Sequence, residues 1–534
     1  MSKFNLTEEP WIPCLMPNGT PKQFSLYDVL AQAHDIREIY DDSPLVVVSL
    51  HRLLLAILHR NFGPKTFDEW KTLWRKGFWD AEKLKVYFES ENCKNRFNLF
   101  DEERPFYQYP KVAKKDGSES DKLPVETLMQ EKATGANATL FDHSFKAKEA
   151  AYTPAQAARY LVARQSFSLA GGVSYPFNLS NGLLVKGFSV LATDKKSLFK
   201  TLALNLVVYS GDDPIQIQED DNGVSLDKPF WERDVLQEAK ERNKDGTVPL
   251  GYLDYLTWQS RRIKLLPEAD FKSIKFCQLQ QNFKLKESSD VLILDPFKVY
   301  AEGEKDKGLY AIDFRSDKAL WRNSHTLIRQ TKIANEKTNL FKHLADVSSA
   351  INKREIEGQR EYSLSIIGII NDQASVESWM YESLPIPLDY FDDDKLPGLL
   401  KTAIQFAEDV RFQVLRTGIK ELAAELETDM ANFQAIAVYW SRLEFSFQKL
   451  LSNLPDEGDA AMRKWFKTVD DTANRAFWQS ANSLSGAARE QKAIVKARKE
   501  FNKERKALLH GNKRKSGNST YRFYLSIDEN GGEE

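Results

Sequence analysis

Apolar residues along this 534-residue chain follow two rhythms that change near residue 390. The stretch Leu384 to Pro397, LPIPLDYFDDDKLP, supplies three prolines and an acidic run, which ends one unit and begins another. Four long helical patterns follow, roughly Leu396 to Leu426, Ala431 to Leu454, Asp459 to Asn482 and Arg489 to Leu509. Their apolar residues recur every three or four positions, as at Ile404, Ala407, Val410, Val414 and Ile419. The breaks carry Asp, Pro, Gly and Ser and are short, so neighbouring helices run antiparallel and residues 391–534 are expected to form an all-α four-helix bundle. Ser519 to Glu534 reads as a short strand before an acidic tail.

Residues 1–390 alternate short apolar runs with turn signals, without a repeat of fixed period, as expected of an irregular mixed α/β domain. The fold class is therefore α+β followed by the bundle. Pro44 to Leu58 (PLVVVSLHRLLLAIL) is interrupted by His51 and Arg52 and is shorter than the roughly 20 residues of a membrane span, so it reads as a buried helix and no membrane is expected. Thr153 to Ala163 and Ser197 to Val208 have helical patterns, and Val291 to Leu294 and Ser363 to Ile370 are β-type runs. Val376, Trp379, Met380 and Leu384 recur at helical spacing, which makes Asn371 to Ser375 a turn between strand and helix. Ala113 to Lys122 and Gln216 to Asn222 read as surface loops.

Composition narrows the function only a little. Lys plus Arg number 75 against 77 Asp plus Glu, so any nucleic-acid affinity must come from local patches. The clearest patch is Arg489 to Lys515, with eleven basic residues against three Glu, a local charge of +8. That excess exceeds what pairs such as Lys496 with Glu500 require, and points to phosphate contact through Lys492, Lys496, Arg498, Lys499, Lys503 and Arg505. The alternative is a solvated face. Three scattered cysteines without CxxC and an N-terminus lacking an apolar signal segment suit a reducing cytoplasm.

Catalytic patterns are absent from the sequence. The seven histidines form no HExxH or HxH, and His51 and His59 lie two helical turns apart. No phosphate-binding GxxxxGK[ST], GxSxG or GxGxxG occurs. Asp41-Asp42, Asp212-Asp213, Asp392 to Asp394 and Asp470-Asp471 read as turns or helix starts, though in principle they could hold Mg²⁺. No metal or cofactor is expected. A metal-dependent nucleic-acid enzyme built on these clusters, or a purely structural protein-binding scaffold, are the alternatives to the reading that follows.

Phe4 to Pro13 (FNLTEEPWIP) and Arg96 to Gln108 (RFNLFDEERPFYQ) are dense in Trp, Phe and Pro while lying among charges. Together with Leu183 to Leu206 (LLVKGFSVLATDKKSLFKTLALNL) and NDQAS at Asn371 to Ser375, this ordered set resembles the large-subunit (CasA) family of the type I-E CRISPR surveillance complex, Cascade. The resemblance runs over nearly the whole chain. It implies a non-catalytic subunit that recognises a short motif flanking the target (the PAM) in double-stranded DNA through the minor groove. That groove separates A·T from G·C but little else. The subunit would then start unwinding for crRNA pairing and R-loop formation and help recruit a helicase-nuclease. Implied partners are crRNA, target DNA, and the handle-capping, backbone and small subunits.

Site residues follow from the same resemblance. Ala170, Gly171 and Gly172 occupy the place of the family's minor-groove glycine loop, although the pair alone could simply stop a helix. In Gln278 to Lys286 (QLQQNFKLK) the alternation puts Lys284 and Lys286 on one face, which by pattern alone is an edge strand with protective lysines. Lys286, or else Lys284, matches the lysine that reaches into the PAM groove. A zinc-binding CxxC of some relatives is reduced to Cys277. Phe141, with Asp142 and His143, matches a docking loop for the crRNA 5′ handle. Gln373, beside Asn371, matches a wedge that separates the first target base pair, whereas pattern alone makes it a solvent-facing turn residue.

Overall fold

The structure, a computed structural model, describes the chain apart from residues 1–3, 115–116, 130–149, 172–178, 210–214, 235–245, 287–292, 303–308, 314–319, 325–338, 373–374, 394, 513–514 and 527–534. Its contacts divide into two units, Met1–Lys318 with Gln330–Leu384, and Ala319–Arg329 with Pro385–Glu534. The second unit thus takes in a segment from far upstream, which periodicity could not reveal.

The first unit carries small sheets around buried helices. Strands β1 (Ile12–Leu15), β2 (Pro21–Phe24) and β3 (Glu38–Ile39) pair in the order β2-β1-β3; β4 (Leu123–Pro124), β6 (Arg261–Pro267) and β7 (Ile274–Gln281) pair as β4-β7-β6. Strands β8 (Tyr300–Glu302) and β9 (Leu309–Ala311) pair with each other, and a further sheet joins β5 (Ser189–Thr193), β10 (Glu361–Asp372) and β11 (Ser375–Pro387) in the order β11-β10-β5. The apolar run becomes the helix Pro44–Phe62, started by Ser43, whose hydroxyl accepts from the Val46 amide, and by a proline in the first turn. It is long and apolar enough to cross a membrane, yet 78% of its apolar window is buried within the protein, so its hydropathy is that of a core helix. Its Arg52 is buried against Asp295 at 3.0 Å. The helix Pro154–Phe167 starts with a capping box between Thr153 and Gln156.

The two aromatic segments that anchor the family resemblance lie side by side. The Leu6 amide donates to Phe97 O at 2.9 Å and the Leu99 amide to Phe4 O at 3.0 Å. Trp11, Phe97, Phe106 and Tyr107 are buried, so the aromatic density of both segments belongs to one core.

Four local expectations are corrected. Residues 375–387 are not helical: β11 follows β10 after two residues and hydrogen-bonds to it, a connection that only antiparallel strands can make. Leu384 and Ile386 are buried while Trp379 and Tyr381 are exposed, a period of two that overrides the apparent helical spacing. Of 291–294, residues 291 and 292 lie outside the described residues, and Ile293 and Leu294 belong to no strand. Of the expected edge strand Gln278 to Lys286, only Gln278 to Gln281 belong to a strand, β7, which is central in its sheet, and Lys284 and Lys286 lie beyond its end. Ser519–Leu525 is a helix, capped by Asn518, because Tyr521 and Tyr524, three apart, both turn into the core.

The second unit is helical. Leu396–Asp409 runs through a π turn, Val410–Leu415, into Arg416–Glu425; Ala435–Glu457, Asp459–Asn482 and Ala488–His510 follow. The stripe of Ile404, Ala407, Val410, Val414 and Ile419 is buried throughout. Phe406 stacks on Phe466 at 4.1 Å, and Gly418 lets Phe501 approach so closely that an added Cβ would stand 3.0 Å from its own Cβ. Trp321, from the upstream segment, packs its ring 4.5 Å from Phe447.

Candidate nucleic-acid interface

The helix Pro154–Phe167 ends three residues before Ala170, so the glycine pair is not its stop. Residues 166–171 instead pair with 179–184 as a narrow stem. Leu184 N donates to Ser166 O at 2.9 Å and Gly182 N to Ser168 O at 2.6 Å, and Gly171 and Leu179 exchange backbone hydrogen bonds of 3.1 and 2.7 Å. Ala170 N donates to Asn181 Oδ1 at 2.7 Å. The stem therefore presents Gly171 at the edge of the described residues, and Gly172 lies outside them. The two stem glycines differ: a Cβ on Gly182 would stand 2.6 Å from Ser166 O, whereas a Cβ on Gly171 would meet nothing within 4 Å. Close strand approach requires the first, and packing does not require the second.

Beneath the stem lie Arg261, the first residue of β6, and Gln281, its partner at the end of β7. Arg261 Nη2 donates to Leu169 O at 2.9 Å and to Ser180 O at 2.6 Å, one carbonyl from each side of the stem. Its Nη1 donates to Ser260 O at 2.9 Å and to Gln281 Oε1 at 3.3 Å. Burial, with Arg164 nearby, pushes the guanidinium well below its usual pKa. Gln281 Oε1 also accepts from Ser180 N at 2.7 Å, and its Nε2 donates to Ser180 Oγ at 2.9 Å and Asn282 O at 3.2 Å.

From Gln281 the chain continues into the lysine segment. Phe283 is buried, and Lys284 and Lys286 are exposed on either side of Leu285, the alternation the sequence implied. Thr247 holds this stretch extended, donating its amide to Lys284 O at 2.7 Å and accepting from Lys286 N at 3.0 Å. Gly246, with φ of +89°, permits the approach, since a Cβ there would lie 3.0 Å from Lys286 Cα. Neither lysine has an ion-pair partner among the described residues. The structure thus roots the Gly171 stem and the Lys284–Lys286 stretch in one buried network. Sequence reasoning missed Arg261, Gln281, Asn181 and Gly182.

The basic helix Ala488–His510 is a different case. Lys496 reaches both oxygens of Glu425 at 2.8 Å, not Glu500, which pairs with Lys503 at 2.6 Å. Arg505 donates to both oxygens of Asp470, at 2.8 and 2.7 Å. Arg498 lies 4.6 Å above the Phe501 ring and also faces Phe477 and Trp478, and burial lowers its pKa. Of the six nominated residues, only Lys492 and Lys499 have no recorded partner among the described residues. Of the other four, Lys496 and Arg505 pair with carboxylates of neighbouring helices, Lys503 pairs with Glu500 of its own helix, and Arg498 lies over aromatic rings, so Lys492 and Lys499 are the two left uncompensated among the described residues.

Other nominated residues fall elsewhere. Asn371 lies near the end of β10, and Gln373, Phe141, Asp142 and His143 lie outside the described residues. Asp41 pairs with Arg159 at 2.9 Å and Asp470 with Arg505, while Asp212, Asp213 and Asp394 lie outside the described residues. His34 and Asp35, adjacent in sequence, form an exposed pair at 3.4 Å. Among the described residues, no group of three or more His, Cys, Asp or Glu is placed to hold a metal.

Comparison with known proteins gives a coherent result. A family described as CRISPR-associated protein Cse1 matches residues 5–476. CRISPR-associated protein CasA/Cse1 of Thermus thermophilus is 29% identical over 528 residues, which span 94% of this chain and 97% of that protein. The solved structure of Thermus thermophilus CasA (Cse1) superposes with a TM-score of 0.75 at 26% identity, covering 94% of this chain and 99% of the other. A chain of a solved CRISPR RNA-guided surveillance complex has the same fold, with a TM-score of 0.69 at 19% identity over 93% of this chain and 99% of its own.

Proposed function

The chain belongs to the CRISPR-associated protein Cse1 (CasA) family of Cascade large subunits, and from that premise we propose that it reads the PAM of double-stranded DNA for an RNA-guided complex without catalysing a reaction. The observation that carries this reading is the common root of the Gly171 stem and the lysine segment. Backbone at a glycine and uncompensated lysines on one platform suit a minor groove, which admits slim, cationic groups and offers acceptors at A·T pairs. Guide RNA supplies sequence specificity, and this subunit starts opening the duplex next to the PAM for R-loop formation.

The remaining assignments belong to the same proposal. Phe141, Asp142 and His143 meet the crRNA 5′ handle and its capping subunit; backbone and small subunits complete the assembly, and a helicase-nuclease is recruited afterwards. The four long helices of the second unit act as one bundle along the target DNA, with Lys492 and Lys499 on its phosphates. The complex works in the cytoplasm. The likeness to a chain of a CRISPR RNA-guided surveillance complex supports the assembly with crRNA and other subunits.

Gln373 is the decisive residue. A side chain that wedges between stacked bases must be long, uncharged and able to hydrogen-bond an exposed base edge, and one stacked DNA step costs only about 1.4 kcal/mol to open. Gln373→Ala is expected to leave assembly intact, barely weaken PAM-duplex binding and sharply slow R-loop formation on intact duplex. A target pre-opened beside the PAM should largely restore the rate. Equal opening rates for variant and wild type on intact duplex would remove Gln373 from the wedge role.

A further inference from the structure

Arg261 is wholly inaccessible to solvent, yet among the described residues its guanidinium meets only carbonyl oxygens, of Leu169, Ser180, Ser260 and the Gln281 side chain. Its Nε has no partner among the described residues. A buried cation without a carboxylate is expensive, and an apolar residue of similar volume would ordinarily serve a core at least as well. The fork geometry explains what is gained: one rigid plane spans two nitrogens, so it can hold both sides of the stem and the end of β7 together. Lysine, with a single nitrogen, cannot reproduce that span.

Gln281 extends the same connection. Its amide accepts from Ser180 N and donates to Ser180 Oγ on the stem side. On the other side it donates to Asn282 O at 3.2 Å and lies 3.4 Å from Phe283 O, the two residues leading into Lys284. Asn282 is fixed in turn, donating to Tyr109 Oη at 2.7 Å and Gln259 O at 3.0 Å. Stem and lysine stretch therefore cannot shift independently without breaking buried hydrogen bonds.

We propose that Arg261 and Gln281 are positioning residues for DNA reading, locking the Gly171 stem and the Lys284–Lys286 stretch into one body that meets the PAM minor groove in a single orientation. The proposal rests on the PAM-reading assignment above. Neither side chain touches DNA in it; they act through the stem and the lysines. Their loss should therefore degrade the preference for one flanking sequence over others more than it degrades binding in general.

The test uses the assembled RNA-guided complex and duplexes whose flanking positions are randomised, with a second set pre-opened beside the flank. Arg261→Lys and Gln281→Leu are compared with the double variant Lys284→Ala/Lys286→Ala, alongside melting temperature and hydrogen exchange of the Gly171 and Leu179 amides. Arg261→Lys is expected to reduce the preference for the best flank about tenfold, the scale of one lost charge-assisted hydrogen bond, and to change binding of pre-opened targets less than about twofold. Exchange at Gly171 and Leu179 should rise while that at Val190, on β5, stays constant. A preference kept within about twofold in both positioning variants, with the lysine variant losing it, overturns the proposal and leaves the PAM reading standing, even if the melting temperature falls. If the lysine variant also keeps its preference, the PAM reading falls and the proposal with it. Should Arg261→Lys fail to fold, Gln281→Leu decides by the same criteria.

Discussion

In the helix Ala488–His510, Arg505 grips both oxygens of Asp470 and Lys496 both oxygens of Glu425, whereas under the Gly171 stem Arg261 is buried with carbonyls alone. The helix has by far the higher density of basic residues, and three of them, Arg489, Lys496 and Arg505, are paired with carboxylates outside it. The stem region has few basic residues, but Lys284 and Lys286 are uncompensated among the described residues, and the Arg261 guanidinium is committed to three backbone carbonyls and the Gln281 side chain. Positive charge marks a phosphate-binding surface only where it is not already paired, and pairing is decided by residues distant in sequence. The structural role of an arginine likewise depends on what surrounds it: exposed beside a carboxylate it contributes little, and buried among carbonyls it fixes local geometry.

Acid should separate the two units most strongly. His51, His59 and His343 are buried in the first unit, where desolvation lowers their pKa values to about 4, about 3 and about 3. Each lies below the unfolded value near 6.5, so the unfolded chain takes up protons first as pH falls. Their contribution is complete above pH 6.5 and is lost progressively toward pH 3 to 4. At pH 5.5 the loss is about 1.4 kcal/mol per histidine. Burial raises the carboxyls of Asp41 and Asp227, which act in the opposite sense, making the folded state relatively more stable as pH falls toward 3.8. Urea unfolding at pH 7.5 and 5.5, followed separately for each unit by site-specific probes, should show the first unit weakening and the helical unit nearly unchanged. Equal weakening of both would mean that buried histidines do not distinguish them.

The basic helix offers a smaller effect. Lys492→Ala and Lys499→Ala should each flatten the salt dependence of DNA binding by about 0.9 in the log–log slope, for every sequence alike. Lys496→Ala and Arg505→Ala should leave the slope unchanged and instead reduce stability by about 0–1 kcal/mol each, as partly exposed ion pairs do. If Lys496→Ala flattens the slope as much as Lys492→Ala, the Glu425 pair opens on DNA and the contrast between the two regions disappears.

How far the sequence could be read follows the same division. The long helices were legible because their burial depends on a local period, and the stripe from Ile404 to Ile419 is buried as that period requires. The ion-pair partners were not, because Glu425 and Asp470 come from other helices. In the first unit the alternation of Phe283, Lys284, Leu285 and Lys286 is legible in the sequence, but β11 is not, because Val376, Trp379, Met380 and Leu384 recur at helical spacing although the segment is extended. The Arg261 clamp left one signal: Arg261, Ile263 and Leu265 share a phase of two, and all three are buried. An arginine in phase with core residues is a candidate for buried backbone bonding. Which carbonyls it meets depends on Leu169 and Ser180, some ninety and eighty residues away, and no local pattern encodes that.

The smallest expected effect bears on why Gly171 is glycine. A Cβ there would meet nothing within 4 Å among the described residues, and Gly171 is not one of the glycines with positive φ. The fold therefore does not require it, and Gly171→Ala should raise stability slightly, by about 0.4–1 kcal/mol at most, through the lower entropy of the unfolded chain. Gly182→Ala makes the opposite case, because its Cβ would stand 2.6 Å from Ser166 O and the stem would have to open. If Gly171 is glycine so that backbone can approach DNA, its alanine variant should melt no lower than wild type yet lose a few-fold in preference for the PAM, while Gly182→Ala loses both stability and preference. Thermal melting beside flank-randomised binding separates the two. A Gly171→Ala protein with unchanged preference would leave the reading to Lys284 and Lys286 alone, and the stem would then serve only to hold their platform in place.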